Sequence, residues 1–229
     1  MYIMNNYCKN IISKEIIDIF HYPARVYISG FSHSGKTQLC INLLKKYINK
    51  FEKILICDSP NNSEFISEKE INEKIEIFYY IPNISEIKLN YQGKPVILIF
   101  DDNYSTTFNS KNVLEFFTQG RHSQISIILL SQNLFSRGKF QRDITLNVSH
   151  FIITKIRDKS QLQILSRQIF GKENSNKLMF IYNHIHKDEK WGHILIDLSP
   201  TSMKDIEIRS NIIANNKNHN YEMCYKFIK

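Results

Sequence analysis

Glycine and proline are scarce in this sequence, with seven and five residues among 229. The few glycines present are therefore expected at positions whose backbone needs them. No apolar run reaches the roughly 18 residues that a membrane-spanning helix needs. The N-terminal segment also lacks the basic flank and apolar run of a signal peptide. These absences predict a protein that neither spans a membrane nor is secreted.

Cysteine is equally sparse, and no CxxC pair occurs among Cys8, Cys40, Cys57 and Cys224. This scatter argues against a zinc site or a disulfide framework and predicts reduced thiols. A hydrophobic content of 42% with 23% charged residues excludes a disordered chain. The excess of 30 basic over 22 acidic residues, a net charge of +8, favours a polyanionic partner.

Apolar segments typical of strands alternate with longer helical patterns along the chain. This alternation predicts an α/β domain with a mainly parallel central sheet flanked by helices. Residues 1–213 are expected to form one domain, with a core of about 25–213 and an N-terminal extension at 1–24. Residues 214–229 are rich in Asn and Lys, which predicts a flexible basic tail. Strands are predicted at 25–29, 53–58, 75–81, 95–102, 125–131, 150–155 and 192–198.

The segment GFSHSGKT, residues 30–37, fits the phosphate-binding pattern GxxxxGK[ST] between a predicted strand and a predicted helix. Its glycines let successive backbone N–H groups point at phosphate oxygens, and the helix N-terminus adds a positive dipole. Lys36 is expected to contact the β- and γ-phosphates of a bound nucleotide, and Thr37 to ligate Mg²⁺. A chance match in a glycine turn is the alternative. The candidate nucleotide-contacting residues are Gly30, Phe31, Ser32, His33, Ser34, Gly35, Lys36, Thr37 and Gln38.

The second motif is VILIFDD, in which an apolar strand ends in two carboxylates. A P-loop NTPase needs such a carboxylate near its metal. Asp101 is the candidate metal ligand, and Asp102 the candidate general base for the attacking water. The alternatives are a turn or helix-cap role for this pair, and Asp58 as a rival carboxylate at the end of a shorter strand.

The third motif is ISIILLSQN, an apolar strand that ends in Ser-Gln after the metal-site strand. This arrangement suits the additional strand of ATPases that carry a sensor residue. Gln132 is therefore expected to hydrogen-bond the γ-phosphate or the water. A strand-end glutamine in an ordinary turn is the alternative.

These motifs together resemble the FtsK/HerA superfamily of P-loop ATPases. GRHSQISIILLSQNLF, correctly spaced after the Asp pair, carries the resemblance. Within the superfamily, the similarity is to the genome-packaging ATPases of poxviruses and of other DNA viruses with double-jelly-roll capsids. LNVSHFIITKIRDKSQLQIL and WGHILIDLSP resemble the later strands of that branch. Position 102 departs from many members, which have Glu there.

The resemblance implies a single RecA-like domain that assembles into a homo-oligomeric ring, a pentamer or hexamer, and uses ATP with Mg²⁺. Such rings drive double-stranded DNA into a capsid and contact capsid portal or vertex proteins. The implied location is the host cytoplasm or a viral factory, with the virion as a further site. Arg121 matches the family's arginine that completes a neighbour's site, and Arg142 is the reserve.

The loop NLFSRGKFQRD supplies candidate DNA contacts at Arg137, Lys139 and Arg142, although a solvated basic loop explains the pattern equally well. A small nucleotide or metabolite kinase is the alternative function, but the arginine-rich lid typical of kinases does not stand out. Another FtsK/HerA-like ATPase, for DNA transfer or filament export, is the further alternative. ATPase activity with and without duplex DNA discriminates among these functions.

Overall fold

The computed structural model describes residues 2–4, 8–13, 18–20, 23–57, 65, 67–101, 104–189, 191–200, 207–210, 212–213 and 222–227. Within these ranges, all the strands belong to one sheet. They are β1 (Tyr2–Met4), β2 (Cys8–Ser13), β3 (Arg25–Ser29), β4 (Lys53–Cys57), β5 (Ile75–Phe78), β6 (Val96–Phe100), β7 (Ile125–Ser131), β8 (His150–Ile153), β9 (Ile194–Asp197), β10 (Glu207–Ser210) and β11 (Glu222–Phe227).

The α-helices of the described residues connect or follow these strands. They are α1 (Lys36–Tyr47), α2 (Lys69–Asn72), α3 (Ile84–Tyr91), α4 (Tyr104–Thr107), α5 (Lys111–Gln119), α6 (Gln141–Leu146), α7 (Ser160–Phe170) and α8 (Lys177–Asp188). Two caps show the local chemistry, because Asn83 and Ser110 accept hydrogen bonds from backbone N–H groups in the first turns of α3 and α5. Three short 3₁₀ segments, Ile48–Lys50, Gly120–Ser123 and Lys172–Asn174, complete the helical structure described.

One half of the sheet is parallel and runs in the spatial order β8-β3-β7-β6-β4-β5. The predicted α/β fold with a mainly parallel central sheet flanked by helices is confirmed. Strand β7 lies between β3 and β6, so the Gly-rich loop and the Asp pair follow strands that are not neighbours. Because these strands are parallel, their carboxyl ends lie at the same end of the sheet, which we call the carboxyl edge.

Both faces of the parallel half are covered by helices, as the apolar runs of its strands require. Alternate side chains enter two separate cores. On β6, Ile97 and Ile99 pack with α1, whereas Leu98 and Phe100 pack with α5. The same period of two operates on β3 and β7, so the α1 face is defined along all three strands.

The other half of the sheet is antiparallel and continues from β8 through β9, β10, β11, β2 and β1. Within the predicted flexible tail at 214–229, Glu222–Phe227 instead forms a strand that pairs with both β10 and β2, whereas residues 214–221 and 228–229 lie outside the described ranges. Two strands of the predicted N-terminal extension, Tyr2–Met4 and Cys8–Ser13, belong to the same sheet. Short strands with mixed polar residues gave little periodic signal for this pairing.

The helices of the described segments are all too short or too polar to cross a lipid bilayer.

Candidate active site

The loop at residues 30–35 joins the end of β3 to the start of α1. Its backbone takes left-handed conformations at His33, with φ of 62°, and at Gly35, with φ of 87°. Such turns point consecutive N–H groups into one concavity, which is the geometry that binds phosphate. The predicted strand–loop–helix context of the phosphate-binding motif is therefore present.

Gly30 is required by close packing. A Cβ atom at this position would lie 1.9 Å from Oγ1 of Thr154 and 2.6 Å from Oγ of Ser34. The Thr154 hydroxyl donates to the Ser29 carbonyl at 3.1 Å and lies 2.7 Å from the Ser34 hydroxyl, which then donates to it. The backbone N–H of Phe31 also donates to the Lys155 carbonyl at 2.9 Å. The loop is thus held against the residues that follow β8.

The N-terminus of α1 opens toward the loop and carries positive potential. Gly35 is its N-cap without a side-chain hydrogen bond, and no acidic residue occupies the first turn. Lys36, only 6% exposed, donates from Nζ to the Phe31 carbonyl at 3.2 Å. A polyphosphate placed here would meet the helix dipole and the ammonium group together.

The outer residues of the motif differ in exposure. Ser32, His33 and Gln38 are exposed, Phe31 and Thr37 are half-buried, and Ser34 is buried. The Gln38 side chain donates to Oδ1 of Asn42, one turn further along α1. Its side chain is therefore engaged along the helix surface.

Asp101 directly follows β6 and is buried, with 7% exposure. The alternation along β6 assigns it to the α1 face, with Ile97 and Ile99. A second observation agrees, because burial and then the negative charge of Asp101 raise the pKa of the Cys40 thiol on α1. The structure thus brings Asp101 to the helix that begins with Lys36 and Thr37. Asp102 and the rival Asp58 lie outside the described residues.

Gln132 follows β7 directly and is half-buried. Because β7 separates β3 from β6, this residue lies at the carboxyl edge between the phosphate-binding loop and Asp101. The period of two along β7 assigns position 132 to the α1 face as well. The three motifs found in the sequence therefore converge on one edge and one face of the sheet.

Arg121 lies at the amino-terminal end of the parallel strands, opposite the carboxyl edge. It is exposed in the 3₁₀ segment Gly120–Ser123, just before β7 begins. A strand of seven residues separates this end from Gln132, a distance of about 20 Å. Burial and the positive charge of Arg121 lower the pKa of Arg25, which starts the neighbouring β3. The structure does not bring Arg121 to the phosphate-binding loop of its own chain.

Arg137, Lys139 and Arg142 are all exposed in the loop after β7 and the first turn of α6. This loop is attached to the segment that follows Asp101. The Lys139 backbone N–H donates to Oδ1 of Asn109 at 2.9 Å, and that of Phe140 donates to the Phe108 carbonyl at 2.9 Å. Gly138 packs so closely that a Cβ would lie 2.4 Å from Cβ of Phe108.

A family model described as the poxvirus A32 protein matches residues 15–222 of this sequence. The chain belongs to the poxvirus A32 protein family. The match includes the phosphate-binding loop, both apolar strand motifs and the segment after β8. The predicted relationship to poxvirus genome-packaging proteins is thereby confirmed at the level of the family.

Curated relatives of this family member carry the name DNA packaging protein OPG160. The Monkeypox virus protein is 28% identical over 166 residues, which cover 64% of this chain and 55% of that protein. The Vaccinia virus (strain Copenhagen) protein is 28% identical over 165 residues, covering 64% of this chain and 60% of that protein. The aligned region thus spans little more than half of each relative's own length.

Solved structures of the genome packaging NTPase B204 from Sulfolobus turreted icosahedral virus 2 share the fold. The sulfate complex superimposes with a TM-score of 0.57 and 18% identity, covering 81% of this chain and 96% of that one. The complex with ATP-gammaS gives a TM-score of 0.55 and 18% identity, with coverage of 81% and 95%. At this identity the likeness establishes the fold.

Several residues that contact the phosphate-binding loop were not predicted from the sequence. Thr154 and Lys155 hold the loop through the contacts described above. The guanidinium carbon of Arg157 lies 5.6 Å from the centre of the Phe31 ring, which adds positive charge beside the loop. The basic and polar segment TKIR after an apolar strand was the available signal.

Proposed function

We propose that this chain is an ATPase that couples ATP hydrolysis to the movement of double-stranded DNA during viral genome packaging. The observation that carries the proposal is that the motif at residues 30–37, Asp101 and Gln132 all lie at the carboxyl edge. Gln132 follows β7, which lies between β3, the strand before the loop, and β6, the strand before Asp101. Membership of the A32 family and the names of the curated relatives support the DNA packaging role.

In this proposal the ATP phosphates lie in the loop, with Lys36 beside the β- and γ-phosphates. The Nζ of Lys36 already lies within the loop on the Phe31 carbonyl, and an anionic oxygen is a stronger acceptor. Thr37 and Asp101 would hold Mg²⁺, because a hydroxyl and a carboxylate are the oxygen ligands that this ion prefers. When bound, Mg²⁺ would supply positive charge that stabilises the negative charge developing on the phosphate oxygens during hydrolysis.

The hydrolytic step requires a positioned water. Asp102 is proposed as the base that accepts its proton, and Gln132 as the side chain that orients the water or the γ-phosphate. Asp101 is assigned to the metal because the alternation along β6 places it on the α1 face of the sheet, with Ile97 and Ile99. The Gln132 side-chain amide is neutral and can both donate and accept a hydrogen bond, which suits it to orient the water beside the carboxylates of Asp101 and Asp102.

A ring of subunits is part of the proposal because Arg121 lies about 20 Å from the loop of its own chain, a strand length away. An exposed arginine at that end is available to a neighbouring subunit, whose γ-phosphate it would stabilise as charge develops. A pentamer or hexamer is proposed, with capsid portal or vertex proteins as partners and a viral factory in the host cytoplasm as the location.

Arg137, Lys139 and Arg142 are proposed as contacts to DNA phosphates. They are exposed, and their loop is hydrogen-bonded to Phe108 and Asn109, downstream of Asp101 on the same chain segment. A structural change at Asp101 on hydrolysis could therefore reach this loop through the chain that leads from Asp101 to Phe108 and Asn109 and through their hydrogen bonds to the loop.

ATPase activity of the full chain, measured with and without duplex DNA, tests the function. We expect turnover that duplex DNA stimulates and that is lost in Lys36→Ala, which removes a preorganised phosphate contact worth a factor of about 100 or more. Stimulation by a nucleoside or another small phosphate acceptor, but not by DNA, would instead assign a kinase. Hydrolysis that is unaffected by DNA would favour an ATPase of filament export.

A further inference from the structure

Trp191 packs on the phosphate-binding loop. A Cβ atom built on Gly35 would lie 3.2 Å from Cε3 and 3.6 Å from Cζ3 of the indole. Trp191 is nevertheless 58% exposed. It is the single tryptophan of the sequence. A large aromatic surface therefore faces solvent directly beside the proposed phosphate site.

The residues after Trp191 fix its position. A Cβ at Gly192 would lie 2.5 Å from Cγ2 of Ile185, so the chain passes against α8 with no room for a side chain. His193 is buried, its ring hydrogen-bonds to the backbone of Trp191, and burial lowers its pKa to about 4. β9 begins at the next residue. The indole therefore extends from a segment that packs closely against α8 and leads directly into β9.

The direction of the nucleotide follows from the proposed site. Asp101 and Gln132 lie on the β7 and β6 side of β3. They mark the γ-phosphate end, because Asp101 is the proposed metal ligand and Gln132 the proposed contact to the γ-phosphate or the water. The nucleoside end must then extend to the other side of β3, over β8 and β9. Ile194 is paired with Ile153 at the carboxyl edge, so Trp191 lies on that side.

We propose that the exposed indole of Trp191 is the platform on which the base of the bound nucleoside triphosphate stacks. This inference rests on the proposed nucleotide site and specifies its base-binding side. An indole offers a large π surface with little conformational entropy to lose, and it stacks on a nucleobase face. Stacking alone tolerates different bases, so Trp191 contributes affinity rather than a choice between purines.

The test compares a ligand that has a base with one that lacks it. Binding of Mg·ATP and of inorganic tripolyphosphate is measured by calorimetry for the full-length wild type, Trp191→Ala, Trp191→Phe and Lys36→Ala. We expect Trp191→Ala to weaken ATP binding by about tenfold, the scale of one base–aromatic stack, and to leave tripolyphosphate binding unchanged. Trp191→Phe keeps a ring and should restore most of the affinity.

Tyr79→Ala is the matched control. Tyr79 is 66% exposed but follows β5, on the far side of β6 from the loop. Its removal should leave both affinities unchanged. In the wild type, ATP should also quench the Trp191 fluorescence to saturation, whereas tripolyphosphate should quench it little.

Two results would overturn the inference without touching the nucleotide site. Unchanged ATP binding in Trp191→Ala would show that the indole contacts no base. An equal loss for ATP and tripolyphosphate would show that the indole only supports Gly35. A wild-type chain that binds neither ligand, or a Lys36→Ala chain that binds both normally, would overturn the proposed nucleotide site together with the inference.

Discussion

The hydroxyl oxygens of Ser34 and Thr154 lie 2.7 Å apart, and this contact joins the phosphate-binding loop to the chain that leaves β8. Thr154 also donates to the Ser29 carbonyl, at the last residue of the strand before the loop. The Thr154 hydroxyl thus joins the end of β3 and the last part of the loop to the segment that follows β8. Gly30 lies directly beneath this contact, because any Cβ there would overlap Oγ1 of Thr154.

Gly30→Ala should therefore displace Thr154 and distort the loop. We expect a loss of about 1–3 kcal/mol in the free energy of unfolding, the usual cost of overpacking, and a marked loss of ATP binding. Chemical denaturation and calorimetric titration measure the two effects. Gly120→Ala is the control, because its Cβ would meet no atom closer than 3.4 Å. A Gly30→Ala chain with wild-type ATP affinity would contradict the assigned loop geometry.

The two adjacent carboxylates should separate in their effects. Asp101→Asn is expected to weaken Mg²⁺-dependent ATP binding, since a buried metal-side carboxylate facing α1 loses its charge. Asp102→Asn is expected to bind Mg·ATP normally and to hydrolyse it slowly, since only the base is lost. Equilibrium binding and single-turnover hydrolysis distinguish the two outcomes. Exchanged phenotypes would reverse the roles within the same site.

DNA binding should be independent of sequence and steeply dependent on salt, because phosphates are the proposed contacts. Charge reversal at Arg137 and Lys139 should reduce the slope of log affinity against log salt by about 0.9 for each DNA phosphate that is no longer neutralised. Basal ATPase activity should persist while stimulation by DNA falls. Reversal at Arg167 and Lys172, exposed residues at and after the end of α7, is the matched control. Equal salt slopes in both double variants would indicate that the loop is a solvated surface that does not contact DNA.

Arg121→Ala should bind ATP yet fail to hydrolyse it in a uniform ring, because the arginine acts on a neighbour's nucleotide. Mixing these subunits with Lys36→Ala subunits should restore some activity. The restored sites are those in which a Lys36→Ala subunit supplies Arg121 to an intact loop. The activity should disappear on dilution, since only oligomers share sites. Mixed rings without recovered activity would exclude Arg121, and the same test with Arg142→Ala would follow.

The parallel half of the sheet was predictable because its strands β3, β6 and β7 are mostly apolar and are followed by glycine or polar residues. Asp101 and Gln132 follow such strands directly, and the motifs predicted that one would ligate the metal and the other would contact the γ-phosphate or the water. Their assignment to the α1 face required the observed alternation of the two cores.

The antiparallel half was not predictable in the same way. β2 and β11 pair although most of the sequence separates them, and both strands mix polar and apolar residues. The packing of Trp191 on Gly35 is another contact between segments distant in sequence. The chain near Trp191 indicated only a strand at 192–198. Such contacts depend on the three-dimensional arrangement of β3, β8 and β9, which local patterns do not encode.

Displacement of a third strand from a DNA triplex tests the central claim of ATP-driven movement along double-stranded DNA most directly. The full chain is assembled on duplex DNA next to the triplex, and release of the third strand is followed after ATP addition. We predict release that requires hydrolysable ATP and duplex ahead of the triplex and that is absent in Lys36→Ala. ATP hydrolysis stimulated by DNA, but without any release of the third strand from rings loaded on the duplex, would contradict translocation.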